Sequence, residues 1–287
     1  MLGFIFAFLS TLMKSTGDVL NKKILKDSDE HVIGTGVVFC SFIAALPLLW
    51  IQGIPEIGGA FWGALFLSAV LNVVTILLQM KALKCSDLSV VSPMQAFTPL
   101  FVLLLSAILL AEVPSLLGLV GVLLVIVGSY FLQLNNGSHG FLGPIRSLFS
   151  DRGAKMMLAV AFFWGIGTII AKVGILNSSP ILWSVCNLGL IWAGLALIMI
   201  SRSRQNIGQL KQRAGFICII GIVGALATVF QSFALEVVLA SYVSSIRRFS
   251  IALNVVFGYF IFREKNIKAR LLGTLIMLLG ILFIVFS

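Results

Sequence analysis

Two adjacent arginines, Arg247 and Arg248, stand inside an apolar run from about Leu239 to Phe262. A charge at the centre of a bilayer costs about 2.5–3.5 kcal/mol on insertion scales, so a pair marks a wet cavity, a counter-ion or a substrate. The chemistry that two guanidinium groups offer is anion binding, because the planar fork donates in bidentate fashion to phosphate or carboxylate. The structural alternative is pairing with Asp18 or Glu236, or snorkelling to the interface. Arg263, 16 and 15 residues further on, marks the inner end of this span. At 1.5 Å per residue the pair lies about 22–24 Å from that end, in the outer half. Consecutive helical residues point about 100° apart, so one escape route does not serve both.

Other polar residues inside apolar runs share helix faces. Lys14, Asp18 and Lys22 recur at i, i+4 and i+8, with Asn21 beside them. They read either as a self-neutralising Lys14–Asp18 pair with Lys22 at the water surface, or as cavity-lining charges. Asn72, Thr75 and Gln79 share one face of a third run, where helix-to-helix hydrogen bonding competes with a substrate role. Gln95 is flanked by Pro93 and Pro99, which remove backbone donors and bend a helix. Ser244, close before the arginines, completes a candidate substrate-binding set of Arg247, Arg248, Gln95, Lys14, Asp18, Asn72, Gln79 and Ser244.

The elements that position these residues follow from composition. The 287 residues are 60% hydrophobic and 10% charged, where a soluble domain carries about 25% charged residues. The chain reads as an all-α polytopic membrane protein. Apolar runs long enough to cross about 30 Å of hydrocarbon number ten, at about 2–24, 32–51, 58–81, 87–110, 115–133, 154–176, 180–200, 213–236, 239–262 and 267–286. The first has no basic leader or small-residue cleavage pattern and reads as a retained helix. Trp50, Trp62 and Trp183 fall near span ends and read as interface anchors, and Lys172 reads as snorkelling from the outer end of the sixth span. Cys40, Cys85, Cys186 and Cys218 have no metal or redox spacing and read as apolar packing residues, while His31 and His139 are unpaired loop residues.

The two halves are related. Gln79 precedes Glu112 by 33 residues, as Gln231 precedes Glu264. At a constant offset of 152, Ser89 falls on Ser241, Ser92 on Ser244, Gln95 on Arg247, Phe97 on Phe249, Gly121 on Gly273 and Gly128 on Gly280. The first helices match through Gly17 with Gly167 and Lys22 with Lys172. The expected organisation is a first repeat at 1–134, a connecting loop at 135–153 and a second repeat at 154–287.

Loop charge orients the chain. Lys22, Lys23, Lys26, Lys84, Arg146, Arg152, Lys155, Arg202, Arg204, Lys211, Arg213, Arg263, Lys265, Lys268 and Arg270 all fall on one side of a ten-span topology, and that side is expected to be cytoplasmic. Both termini are then outside. Five helices per repeat insert the second copy upside down, so ten transmembrane helices form two inverted five-helix repeats, as in many secondary transporters.

These residues resemble a known family. Trp164-Gly165 with Lys172, the Ala-Leu endings of the third and eighth helices, Glu112 and Glu264, and the glycines of the last helix of each half resemble the EamA family of the drug/metabolite transporter superfamily. The first half departs from it, with Lys14-Ser15 where the second has Trp164-Gly165. The arginine pair is similar in place to the Lys-Arg pair of plastid phosphate translocators in the same superfamily. The resemblance implies a secondary-active, alternating-access transporter in the cell's inner membrane.

A small, anionic metabolite bearing phosphate or carboxylate is the expected substrate. The alternatives are an exporter of amino acids, amphiphiles or drugs, and a flippase of a lipid-linked sugar phosphate. No GxxxxGK[ST] motif, metal cluster or catalytic constellation is present, so neither an enzyme nor a cofactor is expected. The substrate and the lipid bilayer are the expected partners; nucleic acid is not, and a homodimer is left open. The topology predicts that cysteines introduced at Gln52 and Asn177 react with impermeant thiol reagents on intact cells, whereas cysteines at Ser138 and Asn206 are protected. The reverse labelling pattern overturns the orientation.

Overall fold

An apolar chain in hydrocarbon satisfies its backbone within helices, and the computed structural model contains no strand among its described residues. Those residues are 1–24, 28–53, 55–86, 92–133, 151–262 and 267–287. Lys26, Ser89, His139, Arg146, most of the connecting loop, and the turn with Arg263, Glu264 and Lys265 lie outside them.

The helices are α1 (Leu2–Ile24), α2 (Glu30–Ala45), α3 (Leu48–Gln52), α4 (Ala60–Cys85), a 3-10 turn (Ser92–Phe97), α5 (Thr98–Leu109), α6 (Leu116–Gln133), α7 (Arg152–Leu176) and α8 (Pro180–Arg202). After a short 3-10 turn (Arg204–Asn206) come α9 (Gly208–Gln212), α10 (Ala214–Val237), α11 (Ala240–Arg248), α12 (Ser250–Phe262) and α13 (Ile267–Val285). Among the described residues, five stretches are long and apolar enough to cross a bilayer: Glu30–Trp50, Ala60–Gln79, Arg152–Leu176, Pro180–Arg202 and Ala214–Val237. Pro93–Leu109, Leu116–Leu132 and Leu272–Val285 are shorter apolar helices.

Two expected spans are interrupted rather than continuous. The fourth is a 3-10 turn that gives way to α5 at Thr98, and the ninth divides into α11 and α12 at Phe249. At the offset of 152, Thr98 and Ser250 are equivalent, so both halves change helix at the same place. Pro93 and Pro99 explain the first interruption, because each lacks the N–H that an α-turn needs. The second has no proline. The Phe249 N–H bonds the Ile246 carbonyl at 3.0 Å, three residues back, which tightens the turn before the helix resumes.

Two compact units form, each drawing on both halves of the sequence. Val74–Ile169 with Val238–Ser287 make the first, which also takes in Met1, and Leu2–Val73 with Ile170–Val237 make the second.

In the first unit, Ala82, Met94, Ala96, Tyr130, Ala154, Met157 and Val160 form a buried core. The closest helix contact there joins α6 to α13. A Cβ on Gly121 would lie 2.6 Å from the Gly280 carbonyl oxygen, and one on Gly128 2.7 Å from that of Gly273. The earlier glycine of one helix meets the later glycine of the other, so the two repeat-equivalent helices cross antiparallel. Without a Cβ the backbones approach closely enough for dispersion contacts to hold them in lipid. At the head of α7, Asp151 accepts hydrogen bonds from Ser86 at 2.7 Å and from the Ala154 amide at 2.7 Å.

The second unit has buried clusters around Ala45, Val185 and Ala225, and around Ile24, Ile33 and Ile217. The α2 and α10 helices meet where Gly221 packs on Cys40, and Ser41 donates to the Gly221 carbonyl at 2.8 Å. That crossing brings the Cys40 and Cys218 thiols to 3.5 Å, a pairing that their spacing in sequence conceals. Trp183 corrects an expectation: it is 2% exposed and its ring covers Gly174, so it is a core residue rather than an interface anchor. Trp50 and Trp62, at 90% and 62% exposed, stay on the surface. Lys172 is corrected too, since at 6% exposed it is enclosed by protein rather than reaching for water.

Asp29 caps α2 by accepting from the His31 and Val32 amides, and Asn206 donates to it at 2.7 Å. Ser179 caps α8 150 residues later, the spacing that also relates Gly17 to Gly167. Burial pushes the Asp29 and Asp151 carboxyls up, but hydrogen bonds, led by those from Asn206 and Ser86, outweigh it and hold both below the ordinary 3.8. Their stabilising contribution is therefore complete above that value and fades as pH falls through the lowered one.

Hydrogen bonds tie pairs of loops together. Asp29 with Asn206 and Gln209, and Ser86 with Asp151, join loops assigned to the basic side. Gly58 with Asn177, and Glu112 with Ala240, join loops assigned to the other.

Overpacking typically costs about 1–3 kcal/mol. Gly121→Leu and Gly280→Leu are therefore expected to lower the thermal stability of the purified protein by that order. Gly63→Ala, where nothing lies within 4 Å of the added Cβ, is expected to leave it unchanged or slightly raised. Equal tolerance at both places in a melting assay would contradict the glycine crossing.

Candidate functional site

The dibasic segment is built from the backbone up. Leu239 has the extended conformation of an N-cap, with φ −56° and ψ 137°, but no side-chain oxygen to cap with. Nine residues of α11 follow, and Arg247 and Arg248 occupy its last turn. Positive charge is favoured there, because unpaired carbonyls give a helix C-terminus about half a negative charge. Ser250 then opens α12, whose N-terminal end carries the opposite partial charge. The interruption thus puts polar backbone ends and two guanidinium groups in one stretch of an otherwise apolar span.

Both arginines are half-buried, and the Arg247 Nε is sealed from solvent. Arg248 makes no hydrogen bond or ion pair among the described residues. Ser244 is buried at 9% exposed, and the Ser241 hydroxyl, fully buried, has no hydrogen-bond partner among the described residues. Gln95 is half-buried in the 3-10 turn and donates to the Met157 sulfur at 3.3 Å, a weak acceptor. Gln79 is half-buried in the same unit. Arg247, Arg248, Ser244, Gln95 and Gln79 thus share the first unit, with no hydrogen bond between Arg248 and Gln95 among the described residues.

Lys14, Asp18 and Asn72 belong to the second unit. Lys14 Nζ lies 2.9 Å and 3.1 Å from the two Asp18 oxygens, the self-neutralising arrangement that their spacing allows. Asn72 donates to the Ser68 carbonyl at 2.8 Å and Ser68 donates to Asn187 at 3.0 Å, which ties α4 to α8. Asn187 is a polar partner that sequence reasoning missed. Its only signal was a lone amide inside an apolar run.

Glu236, named as a structural counter-ion for the arginines, is exposed. An apolar groove of about 460 Å³ in the second unit is lined by residues including Phe39, Cys40, Trp192, Met199 and Cys218. None of the eight candidate residues lines it, and its lining suits hydrocarbon rather than an anion.

Apolar helices of bilayer length, with charged and amide side chains held inside them, define a polytopic α-helical membrane protein. A family model described as the EamA-like transporter family matches residues 1–134 and 151–286, and the chain belongs to that family of drug/metabolite transporters. It is therefore a membrane transporter of small molecules. A solved crystal structure of a protein with 13% identity aligns at a TM-score of 0.78 over 99% of this chain and 97% of its own, a likeness of fold. No curated protein matches the chain.

The Lys14–Asp18 geometry has a measurable consequence. Removing one partner strands a charge, whereas removing both need not cost stability. Lys14→Met with Asp18→Leu is expected to melt at a higher temperature than either single variant. Losses that simply add in the double variant would show that the two groups act independently.

Proposed function

We propose that the protein is a secondary-active transporter of a small anionic metabolite, with Arg247 and Arg248 holding its phosphate or carboxylate group. The observation that carries this reading is Arg248. It is a permanently charged side chain inside an apolar span, with no hydrogen bond or ion pair among the described residues. Burying such a group is costly unless an anion completes it. A guanidinium fork supplies the parallel donors that an oxyanion takes.

The path to the site is alternating access by two inverted repeats of five spans. The antiparallel glycine crossing and the matched interruptions at Thr98 and Ser250 support an inverted relation between the halves. Interrupted helices at corresponding positions are where transporters of this architecture keep their substrate sites. Gln95 and Ser244, which share the first unit with the arginines, contribute neutral donors to the anion. Basic loops put the arginine pair in the outer half of an inner-membrane protein with both termini outside.

The test uses inorganic phosphate and succinate as probes for thermal stabilisation of the purified protein, followed by uptake into proteoliposomes. An anion bound only by the folded state raises stability as RT ln(1 + [L]/Kd). Arg247→Lys and Arg248→Lys are each expected to weaken that effect while keeping charge, because the bidentate fork is lost. The double variant Arg247→Gln, Arg248→Gln is expected to abolish it while still eluting as a folded species. Normal transport by the double variant would overturn the reading.

A further inference from the structure

The start of α11 is capped from another part of the chain. The Ala240 N–H, the first of the helix, donates to a carboxylate oxygen of Glu112 at 2.9 Å, and Leu239 at the N-cap has no group to do so. The turn after α5 is wound to deliver that carboxylate. Ala111 sits at φ +53°, a left-handed conformation uncommon for a residue with a Cβ, and the Glu112 N–H bonds the Ser106 carbonyl at 3.1 Å. Residues held in such conformations persist where the surroundings over-determine them, and they cluster at working parts of a molecule.

Two further contacts grip the same end of α11. The Tyr242 ring packs over Gly118 at the head of α6, leaving no room there for a Cβ. Ser287 donates to the Tyr242 hydroxyl at 3.0 Å. About two helical turns separate Ala240 from Arg247, too short a helix to bend, so what fixes the first turn fixes the last.

We infer that Glu112 is the positioning residue of the dibasic segment. Its carboxylate supplies the N-cap that α11 lacks, completes the charge preference of a helix N-terminus, and so sets where Arg247 and Arg248 stand. Glu112 does not touch the anion in this scheme; it acts through the helix. The inference rests on the arginine reading only for its consequence in binding, and not for the capping itself.

The experiment follows amide hydrogen exchange in residues 238–249 of the full-length protein in detergent, with inorganic phosphate as the binding probe. Glu112→Ala is expected to speed exchange at the start of α11 about fivefold, the equivalent of a lost cap of about 1 kcal/mol. The half-saturating phosphate concentration for thermal stabilisation is expected to rise by a similar factor. Glu112→Gln keeps an acceptor oxygen and is expected to stay near the wild type.

Leu239→Asp in the Glu112→Ala background places a cap within the helix itself and is expected to restore both readouts. A role confined to folding would lower yield without changing phosphate affinity in the folded fraction. Unchanged exchange in Glu112→Ala, or no rescue by Leu239→Asp, would overturn the inference. If the wild type shows no phosphate effect, the arginine reading falls and the exchange measurements alone decide on Glu112.

Discussion

Inside a bilayer a backbone N–H, a carbonyl or a charge has only protein to bond to. Several polar features within the described spans answer to that constraint. Where α11 and α12 part at Phe249, a three-residue hydrogen bond to Ile246 closes the gap, and two arginines sit at the freed helix end. Where α11 begins, Glu112 takes the orphan amide of Ala240. Within α1, Lys14 and Asp18 cancel at 2.9 Å. Ser68 and Asn187 satisfy one another between α4 and α8 at 3.0 Å.

Against that background Arg248 stands apart, with no hydrogen bond or ion pair among the described residues. Arg248 is half-buried with its donors uncommitted, and the fully buried Ser241 hydroxyl lies two turns earlier on the same short helix. A transporter needs such incompleteness, because a site already satisfied by the protein has nothing to offer a passing solute. Within the first unit, Glu112, Tyr242 and Ser287 hold the start of α11 in place. The glycine crossing joins α6 to α13 by letting two backbones touch.

The two compact units do not follow the sequence repeats. Each takes helices from both halves, and α4 and α7 contribute residues to both units. The core around Ala82, Met94 and Met157 already unites residues of both halves. Chain order and spatial neighbourhood are therefore different divisions of the molecule.

Sequence alone determined whatever depends on composition and period. Membrane residence followed from apolar runs, and membership of the EamA-like family from motifs spread over nearly the whole chain. The break in the fourth span was legible in Pro93 and Pro99, because proline acts locally. The Lys14–Asp18 pair was legible for the same reason, since i, i+4 spacing fixes a contact within one helix. Only tertiary structure decided what depends on the neighbour across a helix interface. It broke the ninth span without a proline and brought Cys40 to Cys218. It took Trp183 off the interface to cover Gly174, and it enclosed Lys172. It also turned Glu112 from a repeat marker into a cap for a helix 128 residues away. Periodicity tells which face of a helix is polar; only packing tells what that face meets.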